Sequence, residues 1–177
     1  MTVRVVDEIA YAARMNDLLR ESMTRTGGAF EPQDWPKTIR FANDNPHLAR
    51  IVGLYHNDVA SPDNLLAYAV CFHHGDHGEY SIAASTRGID LKIPLGFAPA
   101  WELMRWARGN GASWFDFGGV TDGSRHGDDP RGGISDFKRR FSKEVEDVGE
   151  EWVFTPRRGR AIAAGLVRVL SGRPFTR

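Results

Sequence analysis

The apolar positions of this chain change period several times, and each change marks an element. From Asp7 to Thr24 they follow the mixed pattern of a helix, with Ile9, Ala13, Leu18 and Leu19 as inward positions. The stretch TRTGG ends it. A second helix is predicted from Pro36 to Asn43, with Trp35 and Ile39 spaced to share a face. Three strand patterns follow: Leu48–His56 (LARIVGLYH), Leu65–His73 (LLAYAVCFH) and Tyr80–Ser85 (YSIAAS). Short, turn-rich connections make these neighbours antiparallel. Pro99–Arg108 reads as a helix, with proline in its first turn, GNG as its stop, and Trp101, Met104 and Ala107 toward the core. A strand from Ser113 to Val120 and a short helix from Ser135 to Phe141, capped by its serine, come next. Val145–Thr155 suggests a strand or hairpin, and Ala161–Leu170 an amphipathic helix.

This order predicts an α/β fold: a mixed, mostly antiparallel sheet flanked by helices. The strand–helix–strand step from Tyr80 to Val120 is its parallel crossover, right-handed by the usual rule. A cleft can open where such a crossover separates neighbouring strands, and GGVTDG stands at the end of one of them. With 177 residues the chain fits one domain over 1–177, and its 41% apolar content excludes a disordered class. No apolar run spans a bilayer, and the N-terminal stretch carries early acids without a small-residue cleavage site. Cytoplasm is therefore the default compartment. Cys71 stands alone within an apolar run, which predicts a buried thiol and no disulfide framework.

The formal net charge of zero hides an asymmetry. Residues 157–177 hold six arginines and no acid, leaving 17 basic against 23 acidic side chains before them. That arginine-rich segment is either a solvated helix face or a surface for nucleic acid or anionic lipid.

Candidate chemistry concentrates in FDFGGVTDGSRHGDDPRGGISDFKRRFS, from Phe115 to Ser142. Gly118 and Gly119 let backbone approach a ligand, or let the strand kink. Asp116 alternates with Phe115 and Phe117 and so points away from the face those rings pack. It is either a cleft carboxylate, acting as base or orienter, or a side chain that bonds a loop amide and fixes the turn. Phe137 and Phe141, four apart, anchor one face of the short helix. Lys138, expected in that helix's first turn, would join its charge to free backbone amides and favour an anion or oxyanion; otherwise it is a surface lysine. Asp116-Phe117-Gly118 also spells the magnesium triplet of kinases, but the other kinase signatures are missing. The His73, His74, Asp76, His77 cluster matches no standard metal-ligand spacing and reads as a solvated turn, so no metal site is assigned.

YSIAAS, then WELMRWARGNGASWFDFGGV, then FKRRFSKEVEDVGE, together resemble the acyltransferase half of FemABX-type proteins. The shared pattern joins Asp-Phe-Gly-Gly at a strand end to a Phe-Lys-x-x-Phe helix, and a looser match extends back to about Thr24. The glycine that commonly follows Phe-Lys-x-x-Phe is Ser142 here. The resemblance implies a single GNAT-like domain that transfers an acyl or aminoacyl group to an amine-bearing acceptor, a small molecule or peptide. It implies no tightly bound cofactor, the donor being either aminoacyl-tRNA, with tRNA then a partner, or acyl-CoA. By position, Lys138 would meet the reacting carbonyl or a phosphate-bearing substrate, Tyr80 would line the channel, and Asp116 and Gly118 the cleft floor, with Gly119 and Phe137 as further substrate-binding candidates. Coenzyme A binding in GNAT enzymes uses Arg/Gln-x-x-Gly-x-Gly/Ala. Ser85–Gly96 (STRGIDLKIPLG) supplies Arg87, Gly88 and Gly96 without that spacing, so Arg87 and Lys92 are either phosphate contacts or loop residues. The competing expectation is a non-catalytic GNAT-like binding or dimerisation module.

Overall fold

The structure, a computed structural model, describes residues 1–89, 93–123, 126–129 and 131–146. The chain divides into two compact units, 1–143 and 144–177. The architecture below is that of the first. The arginine-rich segment 157–177, the helix expected at 161–170 and almost all of the strand expected at 145–155 lie outside the described residues.

A five-stranded sheet runs in the order β1-β2-β3-β4-β5. Its strands are β1 (Thr2–Val5), β2 (Ala49–Tyr55), β3 (Leu65–His73), β4 (His77–Ser85) and β5 (Trp114–Asp116). The first four pair antiparallel, and β5 joins β4 in parallel. The mixed, mostly antiparallel sheet read from the sequence is thus observed, including the parallel crossover. β1 was not expected. TVRV is a short edge strand whose pairing with β2, from Thr2 opposite Tyr55 to Val5 opposite Val52, comes from sequence-distant residues.

Helices α1 (Ala12–Thr26) and α2 (Trp35–Asp44) cover one face of the sheet. The buried stripe of α1 is Met15, Leu18, Leu19 and Ser22, continuing from Tyr11 in the preceding turn. Leu18 and Leu19 point inward as expected, whereas Ile9 and Ala13 are exposed, because the stripe follows the i, i+4, i+7 row from Tyr11. Gly27, at φ 68°, ends the helix in the left-handed conformation that glycine tolerates. Helix α2 starts with Asp34, whose carboxylate accepts from the Lys37 amide, and carries Pro36 in its first turn. Its buried residues Trp35 and Ile39 share a face, and Trp35 meets Tyr68 edge-on at 5.1 Å.

Helix α3 (Phe97–Gly109) packs on the opposite face, over Val52, Ala69 and Cys71. Its inward residues are Ala100, Leu103 and Ala107. Trp101, expected inside, is 58% exposed. The reason is close approach: a Cβ at Gly78 of β4 would lie 2.8 Å from the Ala107 methyl. The helix meets the sheet through the row of Ala100, Leu103 and Ala107, and Trp101, one step round from Ala100, is turned outward. Cys71 is fully buried as expected, and burial pushes its thiol up to about 12, so it stays protonated at neutral pH. A further helix, α4 (Gly132–Arg139), follows β5.

Candidate functional site

The strand pair β4–β5 holds together only where His77, Gly78 and Glu79 face Trp114, Phe115 and Asp116. Beyond that, among the described residues, β4 continues from Tyr80 to Ser85 with no strand along this edge. The same stretch carries an irregularity: Tyr80 pairs with Cys71 and Ile82 with Val70, so Ser81 is an extra residue. Such a bulge kinks a strand and re-aims its backbone groups. At the far end, Ser22 of α1 closes the edge. Its hydroxyl accepts from the Ser85 N–H at 3.2 Å and donates to the Ser85 carbonyl at 3.3 Å. By the alternation of an antiparallel ladder, the N–H and C=O of Ala83 point the same way as those of Ser85. The result is a window of polar backbone from Ser81 to Ala83, framed by β5 and α1.

Helix α4 stands beside this window, and its aromatics explain how it is held. Phe141 stacks on Phe117 at 4.5 Å and on Phe97, at the start of α3, at 5.3 Å. Phe137 lies 5.0 Å from Phe97 and 6.3 Å from Tyr80, and its ring edge comes against Gly96. One apolar cluster therefore ties α4 to β4, β5 and the start of α3. Burial within it raises the Tyr80 hydroxyl above the ordinary tyrosine range. The polar side of α4 is fixed separately. Ser135, 2% exposed, accepts from the Thr121 N–H at 2.9 Å, while Thr121 also bonds Asp129. Arg139 donates to the carbonyls of Thr121 and Gly123. Ser135 was expected as the helix cap. It sits inside the helix instead, because α4 begins three residues earlier at Gly132.

The same shift moves Lys138. It lies in the last turn of α4, not the first, so no free amides of its own helix accompany it. Its Nζ donates to the Gly119 carbonyl at 2.7 Å and stands 3.5 Å from where a Gly118 Cβ would be. Gly118 has φ 72°, a conformation costly for any side chain, so it is the backbone that calls for glycine here. The Asp116 carboxylate accepts from the Gly118 N–H at 2.6 Å, the turn-fixing geometry weighed for it above. It also acts on Lys138. Burial lowers the lysine below its ordinary range, and the Asp116 charge partly restores it.

The structure thus brings Lys138, Asp116, Gly118, Gly119, Phe137 and Tyr80 into one region beside the β4 window. Arg87 stands apart, past the end of β4. There its N–H donates to Glu21 at 2.6 Å, and its charge helps lower the pKa of Arg25, which burial lowers most. Lys92 lies outside the described residues. The feature missed in the sequence is the β4 bulge, since a backbone insertion at Ser81 leaves no mark in side-chain chemistry. The histidine hairpin forms two surface pairs, His74 with Glu79 and His77 with Asp76. No group of three metal-ligating side chains occurs among the described residues.

No family model matches the chain, and no curated protein matches it. Solved structures do. An acetyltransferase of Trypanosoma brucei aligns over 86% of this chain and 99% of its own, at 12% identity and a TM-score of 0.55. Glucosamine-6-phosphate N-acetyltransferase from Arabidopsis thaliana aligns over 88% and 100%, at 11% identity and TM-score 0.55. FemX aligns over 72% of this chain and 46% of its own, at 16% identity and TM-score 0.51. At these identities the likeness is one of fold, and the fold is that of GNAT acetyltransferases. No helix among the described residues is long and apolar enough to cross a membrane.

Proposed function

We propose that this chain is an N-acyltransferase whose donor carbonyl docks at the β4 window beside Lys138. The observation that carries this reading is the open polar edge of β4 at Ser81–Ala83, next to a lysine held on a glycine-rich strand end. An amine attacks the carbonyl carbon of a thioester or ester, and the C–N bond forms as negative charge gathers on oxygen. The Ala83 N–H, the amide freed at the bulge or the Lys138 ammonium stabilises that oxyanion. Collapse of the tetrahedral intermediate expels the thiolate or alkoxide. The amine's proton leaves to water or to the departing group. The Cys71 thiol takes no part, being buried and protonated. Asp116 serves here by fixing the Gly118 turn and by favouring the charged form of Lys138 against its burial.

Acyl-CoA is the donor this reading favours, since the acetyltransferase structures align over 86–88% of this chain and 99–100% of their own. Arg87 then belongs to phosphate binding at the end of β4. Aminoacyl-tRNA is the second reading, supported by the Phe-Lys-x-x-Phe helix packed on Asp-Phe-Gly-Gly and by the alignment with FemX. The test is a thermal-shift titration with acetyl-CoA, longer acyl-CoAs and free coenzyme A. A saturable rise in Tm, weakened by Arg87→Ala, identifies the acyl-CoA reading by mass action. No rise with any of them rejects it, and transfer from charged tRNA then tests the second.

A further inference from the structure

A groove of about 330 Å³ lies on the α3 face of the sheet, between α3 and the edge strand β1. It is separate from the acyl-transfer window. Its walls come from β1, β2 and α3, and β3 lies between β2 and β4, a displacement of about 10 Å by strand spacing. The helix covers the middle of this face, and toward β1 the apolar side of the groove is Val3 and Val5.

The polar lining is unbalanced. Arg4, Arg50 and Arg105 line the groove with a single carboxylate, that of Glu102. Glu102 is already paired with Arg105 at 3.2 Å, and Arg4 donates to the Asp58 carbonyl. Arg50 is the unusual group. It rises from β2 to lie 5.7 Å from the centre of the Trp106 ring, and its Nε is buried with no hydrogen-bond partner. No carboxylate among the described residues forms an ion pair with it. A guanidinium nitrogen taken out of water without an acceptor is costly, and an arginine's planar fork matches carboxylate and phosphate oxygens. An aromatic wall, an apolar floor and a guanidinium with no ion-pair partner among the described residues are the elements of a pocket for an organic anion.

We propose that this groove is a second ligand site, for a small organic anion whose carboxylate or phosphate pairs with Arg50 and Arg105. Its apolar body lies on Val3 and Val5 beside Trp106. This site does not depend on the acyl-transfer reading.

The test follows the Trp106 indole and the Arg50 side chain by nuclear magnetic resonance in the full chain, during titration with benzoate, phenyl phosphate and inorganic phosphate. The expected result is a saturable shift of both signals with benzoate or phenyl phosphate, and weaker binding of inorganic phosphate, which lacks an apolar body. Preference between the two aromatic probes assigns the headgroup. Arg50→Met weakens binding at least about tenfold, the loss of a charge-assisted hydrogen bond. Arg105→Met, a change on an exposed helix face, weakens it without disturbing the fold, and Lys138→Ala leaves it unchanged. No saturable shift with any probe overturns the proposal. So do shifts that survive both arginine substitutions, shifts abolished by Lys138→Ala, or inorganic phosphate binding as tightly as the aromatic anions.

Discussion

Strand β4 has two unlike neighbours. Against β3 it pairs from Gly78 to Ser85, interrupted only by the bulge, and the sheet there is covered on the α1–α2 side by Trp35, Ile39, Met15 and Leu18 without exposure. Against β5 it pairs over three residues, then parts from it. The rings beside that parting are half-buried, and the lysine next to them is partly desolvated. One side of the strand is closed by packing and the other is left open to a ligand. The difference separates where stability is stored from where the proposed acyl transfer would place its charge.

Substitutions on the two sides should rank accordingly. Trp35→Ala, at 0% exposure against Tyr68, should cost most, about 3–5 kcal/mol by urea unfolding, through the cavity it leaves. Gly78→Ala comes next, at about 1–3 kcal/mol, since its methyl would meet Ala107 and Phe115 and push α3 from the sheet. Gly118→Ala should cost about 1–2 kcal/mol, the penalty of a side chain at positive φ. Lys138→Met should change stability by less than about 1 kcal/mol, because the lost bond to Gly119 is offset by relief of desolvation. Yet it should lower acyl transfer by about a hundredfold, the scale of a lost oxyanion donor. A Lys138→Met variant that unfolds as readily as Trp35→Ala would erase the distinction between the two sides.

The smallest effect is a pH dependence. The folded-state pKa of Lys138 lies below the ordinary 10.5, so folding carries a desolvation cost while the lysine is charged in both states. As pH rises from the folded-state value toward 10.5, the unfolded chain binds the proton more strongly than the folded one. Stability from this group therefore rises across that window. Burial of Cys71 and Tyr80 acts in the opposite direction at high pH but equally in both proteins, so the urea midpoint of the wild type should gain on that of Lys138→Met from neutrality upward.

Much of this arrangement was legible in the sequence. Leu65–His73 is legible as β3 because a short apolar run bounded by turn residues suits a strand buried on both faces. The parallel step into β5 followed from strand, helix and strand in order. The misplacement of Lys138 has a local cause: Arg131-Gly132-Gly133 looks like loop by propensity, but Ser135 and the aromatic face recruit those glycines into α4. Trp101 misled because size suggested burial, while the face that meets the sheet is the row of Ala100, Leu103 and Ala107, with Ala107 against Gly78. The Ser81 bulge and the Arg50 groove arise from pairings across the sheet, which no single segment encodes.

The most direct measurement is a backbone amide map of the protein with and without acetyl-CoA. The account predicts shifts at Ser81, Ala83, Gly118 and Gly119, with the amides of β1 and β2 unmoved. Shifts confined to other residues, with those four unchanged at saturation, would contradict it.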